Sequence, residues 1–593
     1  MKELLMGNEA IALGALVSGL NLVAGYPGTP STEILETVAK RNDGSVYVEW
    51  SVNEKAALEV AAGASYSGAR TMVTMKQVGL NVASDPLMSL AYIGVKGGMV
   101  VVVADDPGPI SSQTEQDTRY FAGYAKLPLF DPSSPEEAYA MVQEAFELSE
   151  EYGTPVLLRP TTRVCHGCAV IDLPETHNVH KPEGFVKDSR RWVIFPRLSY
   201  HRHIEIEARN RKLGELFSKS PFNRLGGEGK RGIATGGVSY AYTEEVLGDA
   251  GCKLLKIGTP HPFPETLALR FLEGLDEVLV IEELDPVIER ELLLLCGKHH
   301  MDVKIRGKLT DDIQVAGENS VESVGAALHQ YLGLPAPIPE PELPPLPVRP
   351  PVLCAGCPHR ASFYAVKQAM RGKEAVFTGD IGCYTLGNAS PLEMVDTCLC
   401  MGADITIAQG LKRVNPDAKY FAFIGDSTFF ASGLTGIINA VYNQTNITVV
   451  VLDNGTTAMT GHQPHPGTGK TMMGTVAEKV SIEKVLEAIG VSKILEANPF
   501  HLEEAKQVAV EASECSGVSA IIYKAPCIAL TKADALHIVD EKACIGCKRC
   551  IRELGCPAIS MSEGKAAIES SLCYGCAICA QVCPVSAIAT GEE

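Results

Sequence analysis

Eight cysteines close the chain in two runs, Cys544-x2-Cys547-x2-Cys550-x5-Cys556-Pro557 and Cys573-x2-Cys576-x2-Cys579-x3-Cys583-Pro584. Thiolates at this spacing wrap two [4Fe-4S] clusters in a short fold, and the fourth cysteine of each run crosses to the other run's cluster. That rule puts Cys544, Cys547, Cys550 and Cys583 on one cluster and Cys573, Cys576, Cys579 and Cys556 on the second. The chemistry is one-electron transfer. A pair of zinc knuckles or a disulfide-stapled tail would use the same residue type, but zinc sites rarely repeat three cysteines at this interval with a proline after a fourth. The first run departs from the usual spacing, with five residues, Ile551 to Gly555, ahead of its fourth cysteine, where three are usual.

A second constellation is built from oxygen ligands. Gly425-Asp426-Ser427 follows an apolar stretch, Tyr420 to Ile424, and precedes a helix of small residues; the later apolar stretch Ile447 to Leu452 ends in Asp453-Asn454. A carboxylate at one strand end and an amide oxygen at a neighbouring strand end hold one hard cation, with backbone carbonyls and a diphosphate completing the shell. Magnesium anchors thiamine diphosphate in this way. The residues resemble the signature Gly-Asp-Gly followed by Asn, with Ser427 in place of the second glycine. A Gly-Asp-Ser strand end is also a common turn, so the signature alone leaves both readings open.

These residues need domains to position them. The chain has 593 residues, enough for three to five domains. Its formal charge of −19 opposes nonspecific nucleic-acid binding, which needs clustered Lys and Arg. The longest apolar run, near Met99 to Ala104, is too short to cross a bilayer, so no membrane partner is expected. Met1 to Ala15 lacks the basic start and small-residue cleavage site of a secretory signal. With nineteen cysteines, that predicts a cytoplasmic protein whose thiols stay reduced for metal.

The first 190 residues read as a parallel α/β unit, with helical periods at Glu9 to Leu20 and Thr32 to Ala39 and strands at Thr71 to Met75, Met99 to Ala104 and Pro155 to Leu158. Trp192 to Arg211 is polar and basic and reads as a connecting segment. A second α/β unit runs from Arg231 to Leu332, with a Gly-rich turn at Thr235-Gly236-Gly237. Proline at every second or third place from Leu334 to Pro351 predicts an extended spacer. A third α/β unit follows from Val352 to about Lys532.

Adding Tyr26-Pro27-Gly28-Thr29-Pro30-Ser31, Asn53-Glu54, Cys354-Ala355-Gly356-Cys357-Pro358-His359-Arg360 and Gly379-Asp380-Ile381-Gly382-Cys383-Tyr384 to these motifs, the chain resembles the 2-oxoacid:ferredoxin oxidoreductases. Within them it is most similar to the alpha chains that act on indolepyruvate. The resemblance implies a multidomain α/β protein in that family's order: a pyrimidine-type thiamine diphosphate domain over 1–190, a transketolase-C-like domain over 191–333, a Pro-rich linker over 334–351, a diphosphate- and magnesium-binding domain over 352–533, and a two-cluster ferredoxin-like α+β domain over 534–593.

The same resemblance implies the site. Asp426, the Asn454 side chain and the Thr456 carbonyl bind magnesium; Gly425, Ser427, His359 and Gly382 line the cofactor. Glu54 hydrogen-bonds the aminopyrimidine ring, with Glu49 and Glu59 as rivals. An acid is needed there because proton sharing with the ring activates the cofactor. Thr29 and Arg119 contact the substrate carboxylate, an arginine doing so bidentately; a solvated Arg119 is the alternative. His462 and His465 serve proton transfer or substrate contact, or only shape their loop. Cys354, Cys357, Cys383 and Cys527 stand where single-cluster relatives hold a [4Fe-4S] centre, so a third cluster is expected, unless Cys354 and Cys357 only line a diphosphate loop. Cys165, Cys168, Cys398, Cys400 and Cys515 are assigned no metal, the last three being read as buried thiols.

The implied reaction converts indolepyruvate, coenzyme A and oxidised ferredoxin into indoleacetyl-coenzyme A, carbon dioxide and reduced ferredoxin. It implies a smaller beta subunit and a dimer of heterodimers. Pyruvate or 2-oxoglutarate as substrate, and a non-catalytic electron-transfer scaffold, are the rival readings.

Overall fold

The computed structural model describes residues 2–174, 179–248, 251–333, 344–533 and 535–591. Two units are distinct, Met1–Leu343 and Pro344–Glu593. Most of the Pro-rich stretch, residues 334–343, lies outside the described residues; residues 344–350 carry no regular structure, as prolines without amide donors dictate.

The first unit holds a six-stranded sheet in the order Tyr47–Trp50, Leu22–Gly25, Thr71–Lys76, Met99–Ala104, Val156–Leu158 and Leu129–Phe130. Every pairing in it is parallel. Met99–Ala104 is buried along its whole length, which is why it reads as an unbroken apolar run rather than an alternating one. The small-residue helix Glu54–Tyr66 packs through Ala57, Leu58 and Ala61 onto the core shared with Gln77–Ile93. One pairing escaped the sequence: Lys2–Met6 runs antiparallel to Cys168–Asp172.

A second sheet in this unit runs Lys304–Arg306, Glu277–Ile281, Arg231–Gly236, Lys253–Ile257 and Arg224–Gly226, with only the last strand antiparallel. The stretch read as a polar connector is instead the helices Ser189–Trp192 and Pro196–Phe217. Proline in its first turn starts the longer one. Ile206, Leu213 and Phe217 give it a single buried seam, too sparse to register in composition.

Buried charge joins the two sheets. The Arg119 guanidinium, 3% exposed, donates to Asp117, to Glu282 at 2.8 Å, and to the carbonyls of Glu283 and Asp285 at 2.7 and 2.9 Å. Nearby, Arg159 pairs with Asp105 at 2.7 Å and Asp131 at 3.1 Å.

The second unit holds a five-stranded parallel sheet in the order Ala375–Gly379, Lys419–Gly425, Thr448–Asp453, Ser519–Lys524 and Lys493–Ala497. After it come two short antiparallel pairs, His537–Val539 with Ile588–Thr590 and Ile559–Ser562 with Lys565–Ile568, and the helices Arg549–Arg552 and Ile578–Val582. This cysteine-bearing end packs on the sheet's own core: Leu554, Ile578 and Val582 share a cluster with Phe363, Tyr364 and Phe421. Arg360, in the helix Pro358–Ala369, donates to the carbonyls of Leu554 at 2.5 Å, Gly555 at 2.9 Å and Leu353 at 2.5 Å. Two of these carbonyls belong to the five-residue spacing noted above, so the extra residues supply the acceptors that fasten the cysteine end to this helix.

Removing one partner of a buried ion network strands the others, at a cost of about 3–5 kcal/mol. Arg119→Met is therefore expected to lower the urea midpoint of the first unit sharply. Fluorescence of Trp50 and Trp192, the chain's two tryptophans and both in this unit, reads the transition.

Candidate active site and cysteine sets

In the second unit, Asp426 and Asn454 stand at the carboxyl ends of adjacent parallel strands, where such sheets present ligands. Asp426 is 2% exposed. Its Oδ1 accepts from the Ser427 amide at 2.9 Å and its Oδ2 from the Gly455 amide at 2.8 Å, which fastens one strand end to the next. Asn454 Oδ1 accepts from the Thr456 amide at 3.0 Å, and Ser427 Oγ accepts from Thr457 Oγ1 at 3.0 Å. One carboxylate, one amide oxygen and backbone carbonyls make a hard-cation donor set.

Glycine is required on either side of one ring. A Cβ added at Gly425 or at Gly382 would lie 2.5 Å from Tyr384, whose hydroxyl donates to Asp380 at 2.7 Å. His359 is buried, and burial pushes its pKa down to about 4, so it is neutral. Asn454 Nδ2 lies 3.3 Å from His359 Nε2; with the amide as donor, the ring proton sits on Nδ1, which is buried without a protein partner. An unspent donor beside the Asp426 and Asn454 oxygens fits a bound diphosphate.

Of the two loop histidines, it is His465 that reaches the carboxylate, Nε2 standing 3.1 Å from Asp426 Oδ2 with Phe430 beside its ring. His462 is exposed at a positive φ of 69°. Spacing could not separate two histidines three residues apart; the fold brings His465 to the carboxylate and leaves His462 on the exposed turn of the loop.

In the first unit, Asn53 caps the helix Glu54–Tyr66 by accepting from the Ala56 amide at 2.9 Å. Glu54 opens that helix, 9% exposed, against Gly79, where a Cβ would lie 2.5 Å from the carboxyl Oε1. Burial raises its pKa to about 7, against lowering by its own helix-end backbone and by Lys76. Its rivals are otherwise engaged. Glu59 is exposed and paired with Lys55, while Glu49 accepts from Tyr47 at 2.7 Å and Ser51 at 2.6 Å.

Thr29 is half-buried in a loop held by Asn8, which donates to the Pro30 carbonyl at 2.7 Å, and by Ser111, which donates to the Thr29 carbonyl at 3.1 Å. Arg119 is not solvated: its guanidinium is buried and bonded to Asp117, Glu282 and two carbonyls. A buried arginine among acids is indistinguishable in sequence from a solvated or ligand-binding one.

The thiols fall into sets. Burial pushes the Cys579 thiol up to about 12, and the thiols of Cys576, Cys556 and Cys573 push it the same way. Cys550 is raised by burial and faces Cys547, Cys583 and Cys544. Each run's fourth cysteine thus stands among the other run's first three. Cys383, raised to about 11 by burial, faces Cys527 and Cys354. Cys357, buried and raised to about 12, faces Cys354. A small cavity is lined by Cys556, Cys576 and Cys579 together with Cys357, Arg360 and Leu554. Arg360 Nε is buried without a partner, a donor that fits the sulfurs of a cluster held there. Among the described residues no three His, Cys, Asp or Glu side chains are arranged to hold a single ion; the thiols border spaces rather than one point. Cys398 and Cys400 are exposed and Cys515 half-buried, correcting the reading of all three as buried; the first two lie in a loop ahead of the helix Ala403–Val414.

Family models match three segments: pyruvate flavodoxin/ferredoxin oxidoreductase, thiamine diphosphate-binding, over 14–200; the C-terminal binding domain of thiamine pyrophosphate enzymes over 380–522; and a 4Fe-4S dicluster domain over 536–584. The chain is 43% identical to an indolepyruvate oxidoreductase subunit IorA of Methanothermobacter thermautotrophicus, over 89% of this chain and 87% of the relative. It is 41% identical to the IorA of Pyrococcus horikoshii, over 89% of this chain and 86% of the relative. A more distant likeness, 18% identical with a TM-score of 0.45 and covering 56% of this chain and 65% of the other, is to a 2-oxoglutarate:ferredoxin oxidoreductase from Magnetococcus marinus.

The raised pKa of Glu54 carries a pH dependence. Below pH 4.5 the carboxyl is neutral in folded and unfolded chains alike. Between 4.5 and about 7 the unfolded chain loses a proton that the folded chain keeps, so stability falls as pH rises through that window, by on the order of 3 kcal/mol. Glu54→Gln is expected to remove this part of the pH dependence, read as the wild-type-minus-variant difference in urea midpoints from pH 4.5 to 8.

Proposed function

The chain belongs to the family of IorA-type indolepyruvate oxidoreductase subunits, and from that premise we propose that it oxidatively decarboxylates arylpyruvates, indolepyruvate foremost. Its class of activity is 2-oxoacid:ferredoxin oxidoreduction, and its cofactors are thiamine diphosphate and [4Fe-4S] clusters. Coenzyme A takes the acyl group, carbon dioxide leaves, and the two electrons released pass one at a time to ferredoxin. Thiamine diphosphate, when bound, supplies the electron sink that lets the carboxylate leave.

The chain's own residues take the remaining roles. Glu54, with a pKa of about 7, shares a proton with the aminopyrimidine ring at neutral pH. Asp426, the Asn454 side chain and the Thr456 carbonyl hold magnesium, with His465 orienting Asp426. His359 donates from Nδ1 to the diphosphate, and Gly382, Gly425 and Ser427 bring backbone and hydroxyl close to it. Thr29 contacts the substrate. The eight C-terminal cysteines hold two clusters in the crossed sets, and Cys354, Cys357, Cys383 and Cys527 hold a third.

The observation that carries this reading is one hydrogen bond: the Cys527 amide donates to the Asn454 carbonyl at 2.9 Å. The cation pocket and the third thiol set thereby share a backbone link, and Cys357 of that set also lines the cavity of Cys556, Cys576 and Cys579. Electrons leaving the pocket have a continuous series of sulfur sites within one unit. The domain order is that given by the family resemblance, with a pyrimidine-type domain ahead of a transketolase-C-like one in the first unit. A partner subunit belongs to the family's architecture; we assign it as a smaller beta chain in a dimer of heterodimers. Among the described residues no helix is long and apolar enough to cross a membrane, and a cytoplasmic setting is part of the proposal.

Viologen or ferredoxin reduction with indolepyruvate, phenylpyruvate, pyruvate and 2-oxoglutarate tests the substrate. The highest kcat/KM is expected with an arylpyruvate, and preference for pyruvate or 2-oxoglutarate would defeat the assignment. Iron analysis of fully loaded protein tests the third cluster. About twelve irons per chain are expected, four for each cysteine set, and about eight would remove it.

A further inference from the structure

The Arg119 guanidinium is engaged in its buried network, while Lys76 stands beside the Thr29 loop without an ion-pair partner among the described residues. Lys76 ends the strand Thr71–Lys76, between the strands whose carboxyl ends lead into Thr29 and Asp106. Its stem lies across the Thr29 loop: a Cβ placed on Gly28 would meet Lys76 Cγ at 3.2 Å and Cδ at 3.5 Å. Its ammonium makes no ion pair among the described residues. The contact it has is a long one, 3.4 Å to the carbonyl of Ser111, the residue that also donates to the Thr29 carbonyl.

Two acids face the ammonium, Glu54 and Asp106, and neither forms an ion pair with it among the described residues. Glu54 keeps its proton to about pH 7. Asp106 is already engaged, Oδ2 accepting from the amides of Ser111 at 2.8 Å and Ser112 at 2.9 Å and Oδ1 from Thr162 at 2.6 Å. A half-buried ammonium without an anion beside it is costly. Here it sits beside the acid proposed to activate the cofactor and the threonine proposed to contact substrate.

We propose that Lys76 binds the carboxylate of the 2-oxoacid substrate, taking the role that resemblance had given to Arg119. The charge-assisted hydrogen bond from Nζ holds the acid end of the molecule while Thr29 Oγ1 donates to it from the facing loop. This rests on the 2-oxoacid reading above and adds the residue that selects an acid.

The test uses the enzyme assembled with its partner subunit, thiamine diphosphate and clusters. Lys76→Met is expected to raise KM for indolepyruvate about ten- to a hundredfold, the worth of one hydrogen bond to a charged group. KM for coenzyme A and the affinity for thiamine diphosphate stay unchanged, which separates a carboxylate site from a phosphate site, and Lys76→Arg recovers part of the loss. Equilibrium dialysis with unreactive probes reads binding without turnover: wild type binds indolelactate tighter than the carboxylate-free tryptophol, and Lys76→Met abolishes the preference. An unchanged KM, a wild type without preference for the acid, or a shift in coenzyme A or thiamine diphosphate affinity would overturn the proposal. Preference for indolelactate in an enzyme that oxidises no 2-oxoacid would sink the reaction and leave the Lys76 site standing.

Discussion

The second unit depends on one hydrogen bond between neighbouring strand ends, from the Gly455 amide to Asp426 Oδ2. Parallel strands place their carboxyl ends side by side, but the loops beyond them diverge unless something joins them. Here the acid proposed as a cation ligand makes the join, and Asn454 is held one residue away. Everything else at the pocket hangs from this pair: His465 from Asp426, His359 from the Asn454 side chain, and Cys527 from the Asn454 carbonyl. A carboxylate with one oxygen accepting from Ser427 and the other from Gly455 and His465 has its orientation set by the protein. Its remaining lone pairs suit a hard cation.

From that pocket the thiols extend toward the C-terminal cavity, and Arg360 holds the two parts together. Its guanidinium has carbonyls for partners, so its positive charge is uncompensated by any carboxylate it bonds. Burial holds its pKa below the usual arginine range, and the thiols of Cys556, Cys357, Cys576 and Cys354 oppose that shift. Thiolates bound to iron would face a fixed positive charge. The extra residues between Cys550 and Cys556 thus have a structural reason: without Leu554 and Gly555 turned toward the helix Pro358–Ala369, this arginine would bury a charge with too few acceptors.

The first unit handles charge in two contrasting ways. Around Arg119 and Arg159 each buried guanidinium meets carboxylates, so the ions satisfy one another and lock one sheet to the next. Around Glu54, buried, and Lys76, half-buried, no such pairing forms, and removal from water moves both toward their neutral forms. Networks of the first kind hold a fold. Groups of the second kind are kept poised at a cost in stability, which is where ligands and proton transfer are usually found.

Local patterns settled much of this chain before any coordinates. The cysteine spacing determined the crossed thiol sets because a cluster's size dictates how far apart its ligands stand along a short loop. Unbroken apolar runs such as 99–104 and 449–452 determined parallel strands buried on both faces, and the Gly-Asp-Ser and Asp-Asn pairs located the two strand ends that meet. What tertiary structure alone decided is the partner of each polar side chain. Arg119 went to Glu282, more than a hundred residues away; His465 rather than its neighbour His462 reached Asp426; and Pro196–Phe217 became a helix on three buried contacts. Periodicity and spacing report which residues lie close along the chain. The free energy of a buried charge depends instead on what lies close in space, and only the folded packing of distant segments determines that.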